Sequence, residues 1–330
     1  STWNEYQACN DYINNKVIEC KKDFISGVPL VDDKVQEYNL PNLAGNYRIE
    51  ESNLKEPFNI LTQNNLLYIS GISGIGKTSL SIKLSKMLKE SKLLKSIFFI
   101  NGAQITEAKN LNSVCIESGS KINLLAMIKE GNSLFIIDDL QMGIEGIMEE
   151  FWNEINSSNN KSTSYVIVNS QINSEFSKKL NIQHRQSFLT GTEQVSYILN
   201  WRLPKDKKCS IETVERIKKN TNGHPLLLNS LRALVLYDYS NWEDIVEEES
   251  NDFMYHEVDN DKFVSKILKR HKEVLERELY SIKWINEKNI SESLLSKLIT
   301  KEGIRKLVSR SFIQMNNDTV KVHDIIFRCI

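Results

Sequence analysis

The chain has 330 residues, 40% of them hydrophobic, and 42 Lys+Arg against 43 Asp+Glu, which is enough length for two or three domains with separate cores. A balanced charge predicts no general binding to nucleic acid or membrane, and no apolar run reaches the roughly 18 residues of a membrane span or forms a leader-peptide core, so a cytoplasmic protein without a membrane partner is expected. Five scattered cysteines, Cys9, Cys20, Cys115, Cys209 and Cys329, form no CxxC pair and read as small buried apolar residues rather than zinc ligands or disulfides.

In chain order, residues 1–44 are polar with apolar anchors (Trp3, Tyr6, Tyr12, Ile13, Val17, Ile18) and predict a helix followed by an extended linker around Pro29 and Pro41. Because the chain begins at Ser1, it is expected to be a piece of something longer. From 66 to 190 the short apolar runs LLYIS, SIFFI, LFIID, YVIVNS and QSFL alternate with helical patterns. That rhythm predicts an α/β domain over 45–190, a parallel sheet with helices on both faces. Helices follow at 192–202, 210–221 and 225–238, giving a helical domain over 191–258. Further helical patterns at 262–283 and 291–308, then SFIQM and TVKVH around a turn at 316–318, predict a winged-helix domain over 259–330.

The first apolar run leads into GISGIGKTSL at 71–80. In this GxxxxGKT pattern Gly71, Gly74 and Gly76 let successive backbone N–H groups turn toward a β-phosphate. Lys77 brings a point charge to the β- and γ-phosphates, and Thr78 brings a hydroxyl to Mg²⁺. Ile75 and Ser79 complete the expected nucleotide contact. LFIIDDL puts Asp138 at the carboxyl end of a buried strand, where it can hold Mg²⁺ through water, and Asp139 beside it to orient the attacking water. Lys77, Asp138 and Asp139 are therefore the candidate catalytic residues. YVIVNSQ ends in Asn169, Ser170 and Gln171, expected to touch the γ-phosphate or the water.

The order GISGIGKTS, LFIIDDL, YVIVNSQ, TNGHPLLL (221–228) and VHDII (322–326) resembles the NB-ARC branch of the STAND nucleotide-binding switches, from about residue 45 to the end. The resemblance implies a P-loop NTPase with ATP or ADP and Mg²⁺. Gly223, His224 and Pro225 would lie against the base, His323 and Asp324 would reach the β-phosphate of ADP, and Arg48 would sit near the adenine. It also implies autoinhibition with ADP, self-association with ATP, an effector domain upstream and a sensor domain downstream. In the family the strand matching YVIVNSQ often ends in arginine, whereas Gln171 stands here, so slow hydrolysis is expected. From the residues alone, Gly223 and Pro225 equally fit a helix stop and the first residue of the next helix, and His323 fits an ordinary strand end.

Two other functions fit a phosphate loop. A small-molecule kinase would need a lid and an acceptor pocket, which the segments after 192 do not resemble. An AAA+ or origin-recognition type ATPase, or a STAND transcription regulator, could hold DNA with its winged helix. From His271 to Ile330 there are 11 Lys+Arg and 8 Asp+Glu, with Arg305, Lys306 and Arg310 on one helix. That excess is small for a surface that must neutralise several phosphates.

Overall fold

The computed structural model describes residues 35–41, 51–90, 94–116, 120–157, 164–237, 241–247, 260–287, 289–316 and 319–330. The chain divides into two units, Ser1–Val35 and Gln36–Ile330, and both hydrophobic cores lie in the second. The N-terminal helix expected before residue 35 and Arg48 fall outside the described residues.

Strands β1 (Gln36–Tyr38), β2 (Leu66–Ser70) and β3 (Ser96–Asn101) precede a small antiparallel pair, β4 (Val114–Cys115) and β5 (Lys121–Ile122). Next come β6 (Ser133–Asp138), β7 (Tyr165–Ser170) and β8 (Gln183–Arg185). Six of them build one sheet in the order β1-β3-β6-β7-β2-β8 with every pairing parallel. Strands covered on both faces must be apolar throughout, and every residue of β2, β6 and β7 is buried. Helices α1 (Glu51–Asn64) and α2 (Lys77–Glu90) contact the central strands. Helices α3 (Leu124–Glu130) and α4 (Ile144–Ser157) share a core with Leu66, Tyr68, Phe135 and Ile137. On α2 the small Ser81 and Ser85 are fully buried between Leu80, Leu84 and Leu88, so this helix can lie close to β7.

The last strand of the sheet is not QSFL but Gln183–Arg185, a polar run that pairs with Tyr68–Ser70. An edge strand is selected by its backbone ladder, here extended by Tyr68 N–H to the Ile182 carbonyl and Gln186 N–H to the Ser70 carbonyl, 2.9 and 2.8 Å. Phe188 and Leu189 pack instead against the second core. The cysteines also differ from expectation: Cys209 is buried but Cys115 is exposed.

After the short α5 (Glu175–Lys179) come α6 (Thr192–Asn200), α7 (Ile211–Thr221), α8 (Pro225–Tyr237), α9 (Trp242–Glu247) and α10 (Asn260–Ile285). The chain then forms β9 (Asn289–Ser291), α11 (Glu292–Leu298), α12 (Lys301–Ser309), β10 (Ile313–Asn316), β11 (Thr319–Val322) and α13 (Asp324–Cys329). The pattern at 291–308 is thus two helices. The first ends at Leu298 with Ile299 extended, and Thr300 caps the second, its hydroxyl accepting from Gly303 N–H at 3.1 Å. β11 pairs with both β10 and β9, the last of which has a single apolar residue, the fully buried Ile290. One continuous core runs from Val195 to Ile326 and takes in Ile72 of the glycine-rich turn. Each fully buried Leu, Ile or Phe in it contributes about 1.5–3 kcal/mol.

The joint between α7 and α8 needs two left-handed residues, Asn222 at φ 50° and Gly223 at φ 66°. Leu189 N–H donates to the Gly223 carbonyl at 3.2 Å, and a Cβ on Gly223 would sit 2.0 Å from the Leu189 carbonyl oxygen. Gly223→Ala is therefore expected to lose ~2 kcal/mol or more of stability, read as a lower urea midpoint at unchanged slope.

Candidate functional site

At the carboxyl ends of the parallel strands the chain leaves β2 through Gly71 (φ 153°), Gly74 (φ 75°) and Gly76 (φ 105°) before entering α2. Such ends are where α/β sheets place ligands. A cavity of about 480 Å³ opens here. The glycine-rich turn supplies Gly74, Gly76, Lys77, Thr78 and Ser79 to its wall, β6 supplies Asp138 and Asp139, and Gln171 follows β7. Pro225 and Leu226 come from the start of α8, and Lys321 and His323 from the end of the chain. Ile75 is buried beneath the turn, 1% exposed. Gly71 stands at the turn's entrance.

The carboxylate of Asp138 organises the floor. Thr78 Oγ1 and Asn169 Nδ2 both donate to its Oδ1, at 2.7 and 2.8 Å. Ser81 Oγ donates to Asn169 Oδ1 at 2.8 Å, so the helix and two strands are joined by one chain of hydrogen bonds. Asn169 was expected to meet nucleotide, but it is fully buried one layer below the cavity and holds Asp138. Ser170, also fully buried, donates to the Leu140 carbonyl at 2.6 Å. Of that trio only Gln171 lines the cavity. Asp139 takes a left-handed conformation, φ 67°.

Lys321 on β11 was not anticipated. Its Nζ lies 3.0 Å from Asp138 Oδ2 and 3.3 Å from Asp139 Oδ2. Burial opposes ionisation of both partners. The Lys321 charge, with the Asn169 and Thr78 hydrogen bonds, nevertheless holds the Asp138 carboxyl below its usual range, and the two carboxylates hold the Lys321 ammonium above its own. A signal for this residue was present: Val320 and Val322 are buried, so the period of two in TVKVH turns Lys321 and His323 the other way.

The resemblance sets His224 against the base; in the structure its ring contacts the glycine-rich turn. It is fully buried, and its Nε2–H donates to the Ser73 carbonyl at 3.1 Å. Burial pushes its pKa down to about 4, with His323 and Lys77 adding to the shift, so the ring is neutral at pH 7. A Cβ on Gly74 would meet His224 Cε1 and Leu226 at 2.9 Å, which makes glycine the residue that lets α8 approach the turn.

Lys77 Nζ donates to the Gly71 and Ile72 carbonyls at 2.8 and 2.9 Å, inside the curl of the turn. The geometry fits a nucleotide phosphate, which offers that ammonium and the N–H groups around it a charged acceptor. It does not fit Mg²⁺ as it stands, because both Asp138 oxygens are engaged and Lys321 holds the place between the carboxylates. Among the described residues no group of three His, Cys, Asp or Glu forms a metal site, and no helix is long and apolar enough to cross a membrane. Of the three basic residues on α12 and its cap, Arg310 is only 2% exposed, donating to His271 Nδ1 at 3.2 Å, and Lys306 pairs with Glu302. Their contribution to a DNA-facing surface is smaller than the sequence implies. The side chain of Asp324 lies outside the described residues, and His323 precedes α13 as its cap residue.

No protein-family model and no curated protein matches the chain. Among solved structures it is similar to a signal transduction ATPase with numerous domains (STAND) carrying a tetratricopeptide repeat sensor, from Pyrococcus horikoshii. The TM-score is 0.56 and the identity 16%, over 88% of this chain and 43% of that one. A Walker-type ATPase of Pyrococcus abyssi matches with TM-score 0.42 and 12% identity over 87% and 97% of the two chains. Cdc6p of Pyrobaculum aerophilum matches with 0.43 and 14% over 87% and 95%. The chain has the α/β fold of P-loop ATPases, and it spans less than half the length of the STAND protein.

The His224 contact is expected to make stability depend on pH. With a folded pKa of about 4 against about 6.5 unfolded, the unfolded chain binds the extra proton between those values. Stability carried by the neutral ring is therefore full above pH 6.5 and lost as pH falls toward 4. Acidification from pH 7.5 to 5 is expected to cost about 2 kcal/mol through this residue. Urea midpoints of the parent and His224→Gln over that range check it: the variant is expected to start less stable and fall less steeply.

Proposed function

We propose that this chain is the nucleotide-holding module of a regulatory switch of the STAND, NB-ARC-like kind. In this reading it is closed around ADP, opens to exchange it for ATP, and hydrolyses ATP slowly. The observation that carries the proposal is the cavity itself. Its wall combines the glycine-rich turn, the end of β6, the start of α8 and the C-terminal hairpin, so a nucleotide seated there touches segments up to 250 residues apart in sequence (Ser73 to His323). Such a ligand shifts a conformational balance by its different affinity for the closed and open states. The order of α10, β9, α11, α12, β10 and β11 supports reading the C-terminal segment as a winged helix.

In this proposal Lys77 and the N–H groups after Gly74 hold the phosphates, Thr78 and Ser79 adjoin them, Pro225 meets the base and His323 faces the β-phosphate. Asp138 and Asp139 serve hydrolysis only in the open form, where Lys321 no longer engages them. Copies assemble with ATP, and the effector and sensor lie in sequence outside this chain. Gln171 at the cavity, where a charged sensor is common in the family, supports slow turnover.

Lys77→Ala is expected to weaken ADP binding at least about tenfold, the worth of a charge-assisted hydrogen bond, while the far-UV spectrum and cooperative unfolding persist. Fluorescent-nucleotide titration measures the first and thermal unfolding the second. Undiminished binding would overturn the assignment of the turn. The parent is expected to hydrolyse ATP far more slowly than the median enzyme rate of about 10 per second. Steady-state phosphate release at or above that rate would favour a motor or a kinase.

A further inference from the structure

Lys321 reaches the buried carboxylate pair from 183 residues away in sequence. Asp138 Oδ1 is spent on Thr78 and Asn169, and its Oδ2 accepts from Lys321 at 3.0 Å. Asp139 Oδ2 lies 3.3 Å from the same ammonium. Lys321 is only a fifth exposed, and Asp138 and Asp139 are 5% and 8% exposed. Two carboxylates held this close repel one another, and a cation between them relieves that repulsion. A divalent ion bound by oxygen ligands would draw on the same lone pairs. Ammonium and metal therefore exclude each other by charge and by space.

The strand that carries the ammonium is itself well held. β11 is the middle strand of its sheet, with Lys321 paired to Gln314 on one side and Asn289 on the other, while Val320 and Val322 anchor it in the core. Displacing the ammonium thus removes the ion pair that joins this sheet to the end of β6, 183 residues away in sequence.

We propose that Lys321 is a resident cation standing in for magnesium: the closed arrangement takes a nucleoside diphosphate without metal, and a divalent ion enters only as the Lys321 ammonium leaves. The part concerning the diphosphate rests on the nucleotide-binding reading above, and the part concerning the metal does not. Selectivity follows from the difference. Metal-free diphosphate is compatible with the ion pair, whereas a metal-bound triphosphate competes with it and favours release of β11, in the measure of its differential affinity.

Two measurements on the parent, Lys321→Gln and Lys321→Arg test this. In the first, thermal unfolding is followed with millimolar Mg²⁺ alone, against NaCl of equal ionic strength. Parent and Lys321→Arg are expected to be unmoved, whereas Lys321→Gln is expected to rise by about 2–4 °C as Mg²⁺ takes the vacated place. In the second, ADP is titrated with Mg²⁺ and with EDTA. The parent's affinity is expected to agree within about twofold, and that of Lys321→Gln to gain at least about tenfold from the metal. Equal gains in parent and Lys321→Gln, or no gain in Lys321→Gln, overturn the proposal. If no protein binds ADP, the nucleotide reading falls and the metal-alone measurement still decides the role of Lys321. Should Lys321→Gln fail to fold, Lys321→Met, which keeps the length of the stem, takes its place in both measurements.

Discussion

A carboxylate at the carboxyl end of a buried strand is the constraint on which the site depends. Asp138 sits at the last position of β6, in a sheet whose central strands are buried along their length. Ionised there, it requires hydrogen-bond donors and a counter-charge. The chain supplies the donors locally, from Thr78 on the first turn of α2 and Asn169 on the neighbouring strand, and the charge from Lys321 at the far end of the sequence. The same interaction that stabilises the acid draws the C-terminal hairpin over the glycine-rich turn. The wall of the cavity accordingly combines the glycine-rich turn with the C-terminal hairpin.

A second coupling runs through apolar packing. Ile72 in the turn belongs to the core built by α6 to α13 rather than to that of the sheet, and His224 at the head of α8 donates to Ser73 in the same turn. A shift of the turn is therefore felt in the helical segment through the close contact at Gly74, where a Cβ would meet His224 and Leu226. Cores of this density respond to such shifts by changing arrangement rather than by deforming smoothly.

Much of the sheet was legible because parallel strands covered on both faces are short and continuously apolar: LLYIS, SIFFI, LFIID and YVIVNS fall on β2, β3, β6 and β7 within a residue at either end. The edges were not. β8 is a polar run, and β1 and β9 offer one apolar residue each, Tyr38 and Ile290, too few to show a strand in the sequence; a neighbour's ladder of backbone groups completes each. The break between α11 and α12 was missed for a related reason, since helical periodicity continues across Thr300 while the cap hydrogen bond that starts the second helix is local.

In the site, the residue types and spacing of GISGIGKTSL and LFIIDD already imply a phosphate-binding turn and an acidic strand end, because each property belongs to a few consecutive residues whose backbone and charge act together. The sequence alone also places Val320 and Val322 on one side of a strand and Lys321 and His323 on the other. What it cannot contain is the meeting of Lys321 with Asp138 and Asp139, or the burial that turns Asn169 from a ligand-facing group into a support for Asp138. Those depend on which elements pack together across 183 residues, and that is decided by the closure of the second core against the turn, a property of the folded chain and of no segment within it.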